Sequence, residues 1–139
     1  MQAILLDTHA FIWIVDNQYH HFCQKTQQHL EQVSQQNKLY LSAISLWEIA
    51  MLISKKRIAL AMNAQQWLTQ AIEKSGINIL AIDIKTATLS TELMLHGDPA
   101  DRLIVAAAIT HNMLLCTQDE KILQFSANKI SHLHILPLS

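Results

Sequence analysis

Four acidic residues stand apart from an otherwise ordinary surface charge pattern. Asp7 directly follows the apolar run Ala3-Ile4-Leu5-Leu6. Glu48 is an acid among apolar neighbours in Ser45-Leu46-Trp47-Glu48-Ile49-Ala50-Met51. Asp101 lies in Gly97-Asp98-Pro99-Ala100-Asp101-Arg102, at the start of an apolar helical stretch, and Asp119 lies in Cys116-Thr117-Gln118-Asp119-Glu120. Gathered in one place, such groups repel: at ~4 Å a like-charged pair costs about 4 kcal/mol even at an effective dielectric of 20. A cluster persists only where some acids stay protonated or a cation neutralises them. Oxygen ligands without cysteine or a tight histidine pair favour a hard ion, Mg²⁺ or Mn²⁺.

Each acid taken singly also has a structural use. Ser45-x-x-Glu48 is a capping-box pattern, in which Glu48 bonds back to the Ser45 amide. Asp98-Pro99 reads as an N-cap followed by proline in the first helical turn. Thr117-x-x-Glu120 is a third capping signal, and Asp7 or Thr8 caps a helix after the first strand. These caps take up Asp98 and Glu120 more naturally than Asp101 and Asp119. Each of those two helix starts then carries one acid beyond its cap, which the helix dipole tolerates by ~0.3–1 kcal/mol but does not require.

The elements that must position these acids alternate along the chain. Strands are expected at Ala3–Leu6, Lys38–Leu41, Ile77–Ile82, Met113–Cys116 and His134–Leu136. Helices are expected at about Thr8–Val15, Cys23–Ser34, Ser45–Lys56, Ala64–Lys74, Lys85–Leu95, Pro99–His111 and Glu120–Phe125, with Ser75-Gly76 as a stop signal. Strands apolar on both faces imply a parallel sheet covered on both sides. The expected fold is α/β, a three-layer α/β/α sandwich with a central, mainly parallel sheet, in a single domain spanning residues 1–139. The carboxyl ends of such strands form the ligand-binding edge, and all four acids map to it.

Composition narrows the chemistry further. Among 139 residues there are only two glycines and two prolines, and neither a G-x-G-x-x-G nor a Walker A loop is present to cradle phosphates. The formal charge is −1, from ten Lys and Arg against eleven Asp and Glu, so a nucleic-acid partner must be held by a local patch. Cys23 and Cys116 form no C-x-x-C pair, and Cys116 reads as a buried free thiol. The start MQAILLDTHAFIW lacks a basic leader segment and no run approaches ~18 apolar residues, so the expectation is a soluble, cytoplasmic protein with no membrane partner.

Four blocks, Leu5-Leu6-Asp7-Thr8-His9-Ala10, Ser42-Ala43-Ile44-Ser45-Leu46-Trp47-Glu48-Ile49, His96-Gly97-Asp98-Pro99-Ala100-Asp101-Arg102-Leu103 and Thr117-Gln118-Asp119, together resemble the PIN domain in order and spacing. They are most similar to the VapC-type toxins of prokaryotic toxin–antitoxin pairs, and the resemblance covers nearly the whole chain. It implies a metal-dependent endoribonuclease whose acidic quartet is Asp7, Glu48, Asp101 and Asp119. Asp7, Glu48 and Asp101 would be primary ligands of Mg²⁺ or Mn²⁺, with Asp119 holding a second ion or orienting water. Thr117 matches the hydroxyl residue near the last acid, and Asp98 is a cap with a supporting role. Ala100 departs from the large aromatic residue that close relatives often carry between the two aspartates. The resemblance further implies an RNA substrate, a cognate antitoxin protein and a homodimer.

Substrate grip is fainter in the residues. Lys55-Lys56-Arg57 offers a small cationic patch, with favourable placement at a helix C-terminus as its plain alternative. Arg102 is suited either to pair with a carboxylate or to meet a phosphate. His9 and His96 lie near the acids without an assigned role. Tyr19, Tyr40 and Phe125 give no interleaved basic and aromatic surface, and Trp13, Trp47 and Trp67 are expected in the core. Two other readings compete: a catalytically silent binding module of the same fold, and a receiver-like phosphoacceptor built on Asp83 with Lys85 nearby.

Overall fold

Alternation within three short strands sets the architecture. The computed structural model describes residues 1–55, 62–95, 97–127 and 132–136. Strands β1 (Ile4–Leu6), β2 (Leu39–Ser42), β3 (Asn78–Leu80), β4 (Leu114–Cys116) and β5 (Ile135–Leu136) form one parallel sheet in the order β3-β2-β1-β4-β5. Side chains alternate across a pleated strand, so each central strand feeds two cores. Ile4 and Leu6 of β1, Leu39 and Leu41 of β2 and Cys116 of β4 join the core built with Phe11, Leu30, Val33, Ile49 and Ala71. Leu5 and Leu115 point into the second core with Ile104, Val105, Ala108 and Ile122.

The helices fall into the corresponding layers. On the first face lie α1 (Thr8–Val15), α2 (Gln24–Gln35), α3 (Ala43–Ser54) and α4 (Ala64–Ser75). On the second lie α6 (Pro99–Thr110), against which α5 (Ile84–Glu92) packs, and α7 (Glu120–Ser126). The expected three-layer arrangement is thus present. Helix α4 opens with a capping box between Asn63 and Gln66 and closes on Gly76 at φ +65°, where a left-handed residue is needed.

Several details differ from the pattern-based expectation. Strand β3 is the sheet edge and is not buried on both faces; Ile79 is 40% exposed. Helix α3 starts at Ala43 with Ser42 as its cap, one turn before the Ser45 signal. Trp47 is 54% exposed and lies outside the core, while Trp13 and Trp67 are half-buried. A single 3-10 turn at Tyr19–His21 was not foreseen. Cys116 is fully buried and unpaired, and burial raises its thiol pKa. Among the described residues no helix is long and apolar enough to cross a membrane.

Candidate active site

The chain steps from β1 outward to β2 and β3, then returns across the sheet to β4 on the other side of β1. Connections therefore diverge between β1 and β4, opening a crevice beyond their carboxyl ends. The Asp7 amide donates to the Cys116 carbonyl at 3.0 Å, which carries the β1–β4 ladder one residue further and delivers Asp7 beside Thr117. Asp7 caps α1, its Oδ1 accepting the Ala10 amide at 2.8 Å, and its carboxylate also takes a hydrogen bond from Thr117. Thr117 Oγ1 accepts the Asp119 amide at 3.0 Å, and Asp119 caps α7 through the Ile122 amide at 3.1 Å.

The other two acids arrive on helices. Asp98 caps α6 through the Ala100 amide at 2.9 Å, and Asp101 stands in the first turn of that helix. Glu48 lies on α3, where no capping box forms. Instead Thr8 Oγ1 lies 2.5 Å from Glu48 Oε1 and 2.9 Å from Ser45 Oγ. The Thr8 hydroxyl is the donor in both contacts, its one proton directed at the carboxylate with Ser45 Oγ as the second acceptor. Asp7, Glu48, Asp98, Asp101 and Asp119 all line one cleft of about 390 Å³, together with His9, Trp13 and Gln118.

The charge balance of this cleft is one-sided. Burial raises the Asp7 carboxyl above its ordinary value, against the bonds from Thr117 and Ala10 and the nearby His9, with Asp119 adding repulsion. Burial also raises Glu48, opposed by Thr8 and reinforced by Asp98 and Asp7. Asp101 is pushed up to about 6, by burial first and then by repulsion from Asp119, Glu48, Asp98 and Asp7. Among the described residues no Lys or Arg lies within ion-pair distance of these carboxylates. Hard oxygen donors paired with no Lys or Arg among the described residues suit Mg²⁺ or Mn²⁺ in kind. Among the described residues no three potential ligands converge closely enough to clasp an ion as they stand, so binding requires the carboxylates to be drawn in.

The remaining sequence candidates separate. Arg102 does not line the cleft; its Nε–H goes to the Leu95 carbonyl at 2.9 Å. Lys55 is the exposed C-cap of α3 and is also absent from the lining, while Lys56, Arg57 and His96 lie outside the described residues. Asp83 caps α5 and faces His111 at 3.1 Å, away from the crevice, which leaves the phosphoacceptor reading without a site. Asp119, expected as an acid beyond the cap, is itself the cap.

The residue patterns missed three features. The buried hydroxyls of Thr8 and Ser45 support Glu48. Lys121 lies by the mouth: a Cβ added to Gly97, at φ +147°, would sit 3.9 Å from Lys121 Nζ and 4.0 Å from Asp101 Oδ2. One wall is aromatic, with His9 and Trp13 stacked beside the acids. The fitting signals were Thr8 and Ser45 at polar positions facing a core, and a cation in the first turn after Asp119.

Comparison with known proteins agrees with this fold. The family model described as the PIN domain matches residues 4–128. Ribonuclease VapC22 of Mycobacterium tuberculosis (strain ATCC 25618 / H37Rv) is 32% identical over 123 residues, covering 88% of this chain and 91% of its own length. A chain of DNA-bound VapBC from Salmonella typhimurium superposes with a TM-score of 0.70 at 16% identity, over 100% of both chains. A chain of VapBC2 from Rickettsia felis, bound to a DNA fragment from their promoter, gives 0.69 at 21% identity, over 96% of this chain and 97% of that one. At these identities the structural likeness establishes the fold.

Proposed function

The chain belongs to the PIN domain family, and from that premise we propose that it is a metal-dependent endoribonuclease, the toxin of a toxin–antitoxin pair. The observation that carries this reading is the meeting of five carboxylates at the crevice between β1 and β4, with no Lys or Arg among the described residues in an ion pair with them. The ribonuclease name of the relative at 32% identity supports the choice of RNA as substrate.

Asp7, Glu48 and Asp101 would hold Mg²⁺ or Mn²⁺, with Asp119 holding a second ion or orienting the attacking water. Bound there, the metal would acidify water, draw charge from the phosphate and stabilise the departing oxygen. The chain's own residues prepare that chemistry. Thr8 and Thr117 fix the Glu48 and Asp7 carboxylates by hydrogen bonds, which orients the donors before anything binds. Asp98 holds the start of α6 and so sets the position of Asp101. Lys121, exposed at the mouth, is placed to meet a substrate phosphate.

Partners follow from the same reading. VapBC complexes among the structural neighbours support a protein antitoxin. A groove of about 820 Å³, apolar at Ile14, Leu30, Trp67 and Ala71 and polar at Gln27, Glu31, Gln70 and Lys74, suits an amphipathic helix of such a partner. Exposed Trp47, Ile84 and Met94 suit a homodimer contact, which light scattering at micromolar protein checks; a monomer there removes the dimer.

The decisive experiment is cleavage of an RNA pool with Mn²⁺ by purified wild-type, Asp7→Asn and Asp101→Asn proteins. Each substitution should lower activity by more than the ~10–100-fold that loss of an outer hydrogen-bond partner causes, and Thr8→Val should fall within that range. Undiminished turnover by folded Asp7→Asn protein overturns the proposal.

A further inference from the structure

One wall of the acidic cleft continues outward as a pile of rings. His9 and Trp13 stack on α1 with centroids 6.3 Å apart and planes 24° from parallel. Trp13 lies 4.0 Å from His21 at 13°, and His21 lies 4.2 Å from His20 at 36°. Phe22 meets the Trp13 ring edge-on at 5.9 Å.

The backbone holds these rings in place. The chain reverses after α1 through Asn17 at φ +57°, and the Gln18 amide donates to the Trp13 carbonyl at 2.7 Å, folding the Tyr19–His21 turn back onto the helix. Gln118, which also lines the cleft, donates through Nε2 to the His21 carbonyl at 3.0 Å. That bond registers the pile to the loop that carries Asp119. A brace for the end of α1 would need only Trp13 against His21 and Phe22. The rings of His9 and His20 are exposed and extend the stack, one at the acids and one toward solvent.

We propose that this pile is a nucleobase subsite: it takes unpaired bases flanking the phosphate held in the acidic cleft, His9 the nearer and His20 the farther. The assignment rests on the reading of RNA as substrate and narrows it to single-stranded segments or loops. Bases in a duplex already use both faces, whereas unpaired bases stack on aromatic side chains with little preference for identity. A chain of net charge −1 has little bulk attraction for RNA, so stacking would supply grip that phosphate contacts do not.

The test uses a fluorescein-labelled 2′-O-methyl oligonucleotide and a counterpart with its central bases removed, read by anisotropy in Ca²⁺ in place of Mg²⁺, with each strand checked by gel to be intact afterwards. Base removal should weaken wild-type binding by about tenfold, the scale of one lost stack. His9→Ala should lose the same factor on the intact oligonucleotide and nothing more on the abasic one. His9→Phe, which keeps a stacking face, should restore binding, and His20→Ala should show a smaller loss with the same base dependence. Both histidines are exposed, so the variants should keep the fold, as checked by circular dichroism. Binding by His9→Ala and His20→Ala equal to wild type, or equal losses on both oligonucleotides, overturns the subsite.

Cleavage by wild-type protein with Mn²⁺ is measured alongside. Base- and His9-dependent binding without cleavage overturns the nuclease reading and leaves the subsite standing. Cleavage with binding indifferent to both histidines does the reverse, and absence of both binding and cleavage overturns the two together.

Discussion

Asp101 shows how a single side chain links the site to stability. Folding raises its carboxyl from 3.8 to about 6, so between those values the folded protein holds a proton that the unfolded chain has released. The stabilisation this provides is full below the unfolded value and is lost as pH rises through about 6. Asp101→Asn should therefore stabilise the metal-free protein near pH 7 by about 1–2 kcal/mol, the shift being discounted for a carboxyl that solvent still reaches. The gain should shrink to a few tenths of a kcal/mol near pH 4, and urea denaturation in EDTA at the two pH values measures both; an equal gain at each refutes the account. That these acids form a group was legible because Asp7 directly follows a strand, Asp101 and Asp119 stand at helix starts, and Glu48 is an acid among apolar neighbours. The ring pile was not, since His9, Trp13 and His21 meet only after the chain reverses at Asn17.

At the level of elements, the caps and the proposed ligands are partly the same residues. Asp7, Asp98 and Asp119 each accept an amide at the start of a helix, which aims α1, α6 and α7 toward the crevice. Cap and charge can be separated at Asp119. Asp119→Ser keeps an acceptor for the Ile122 amide and should leave stability within a few tenths of a kcal/mol, whereas Asp119→Ala should lose about 1 kcal/mol. Both should lose metal-dependent activity, so thermal melts beside cleavage assays distinguish anchoring from chemistry; full activity in Asp119→Ser assigns Asp119 to capping alone. The helices themselves were readable from such signals within a residue or two, except that α5 ends at Glu92, three residues before the expected Leu95. The start of α3 was misplaced because Ser42 and Ser45 are both competent caps, and only the buried Thr8 hydroxyl decides that Ser45 and Glu48 face the site.

For the molecule as a whole, the carboxylates come from segments scattered between residue 7 and residue 119, so only the folded chain presents them together. An ion held there stabilises the native state by RT ln(1 + [L]/Kd), about 2.7 kcal/mol at a hundredfold excess over Kd. Mn²⁺ should raise the melting temperature, EDTA should reverse the rise, and Asp7→Asn should abolish it; a rise that survives in Asp7→Asn places the ion elsewhere. The parallel sheet was open to inference because apolar strands alternating with helices call for crossover connections that cover both faces, whereas its strand order was not inferred. The exposed edge strand and Trp47 were not, because local apolarity does not say which neighbour is missing. The sealed thiol of Cys116 lies one residue from Thr117, and the half-buried Cys23 serves as its contrast. Alkylating reagents should mark Cys23 promptly and Cys116 only when the central sheet parts. The lag between the two labels is thus an internal clock for how often the floor of the acidic cleft opens, and added Mn²⁺ should slow it.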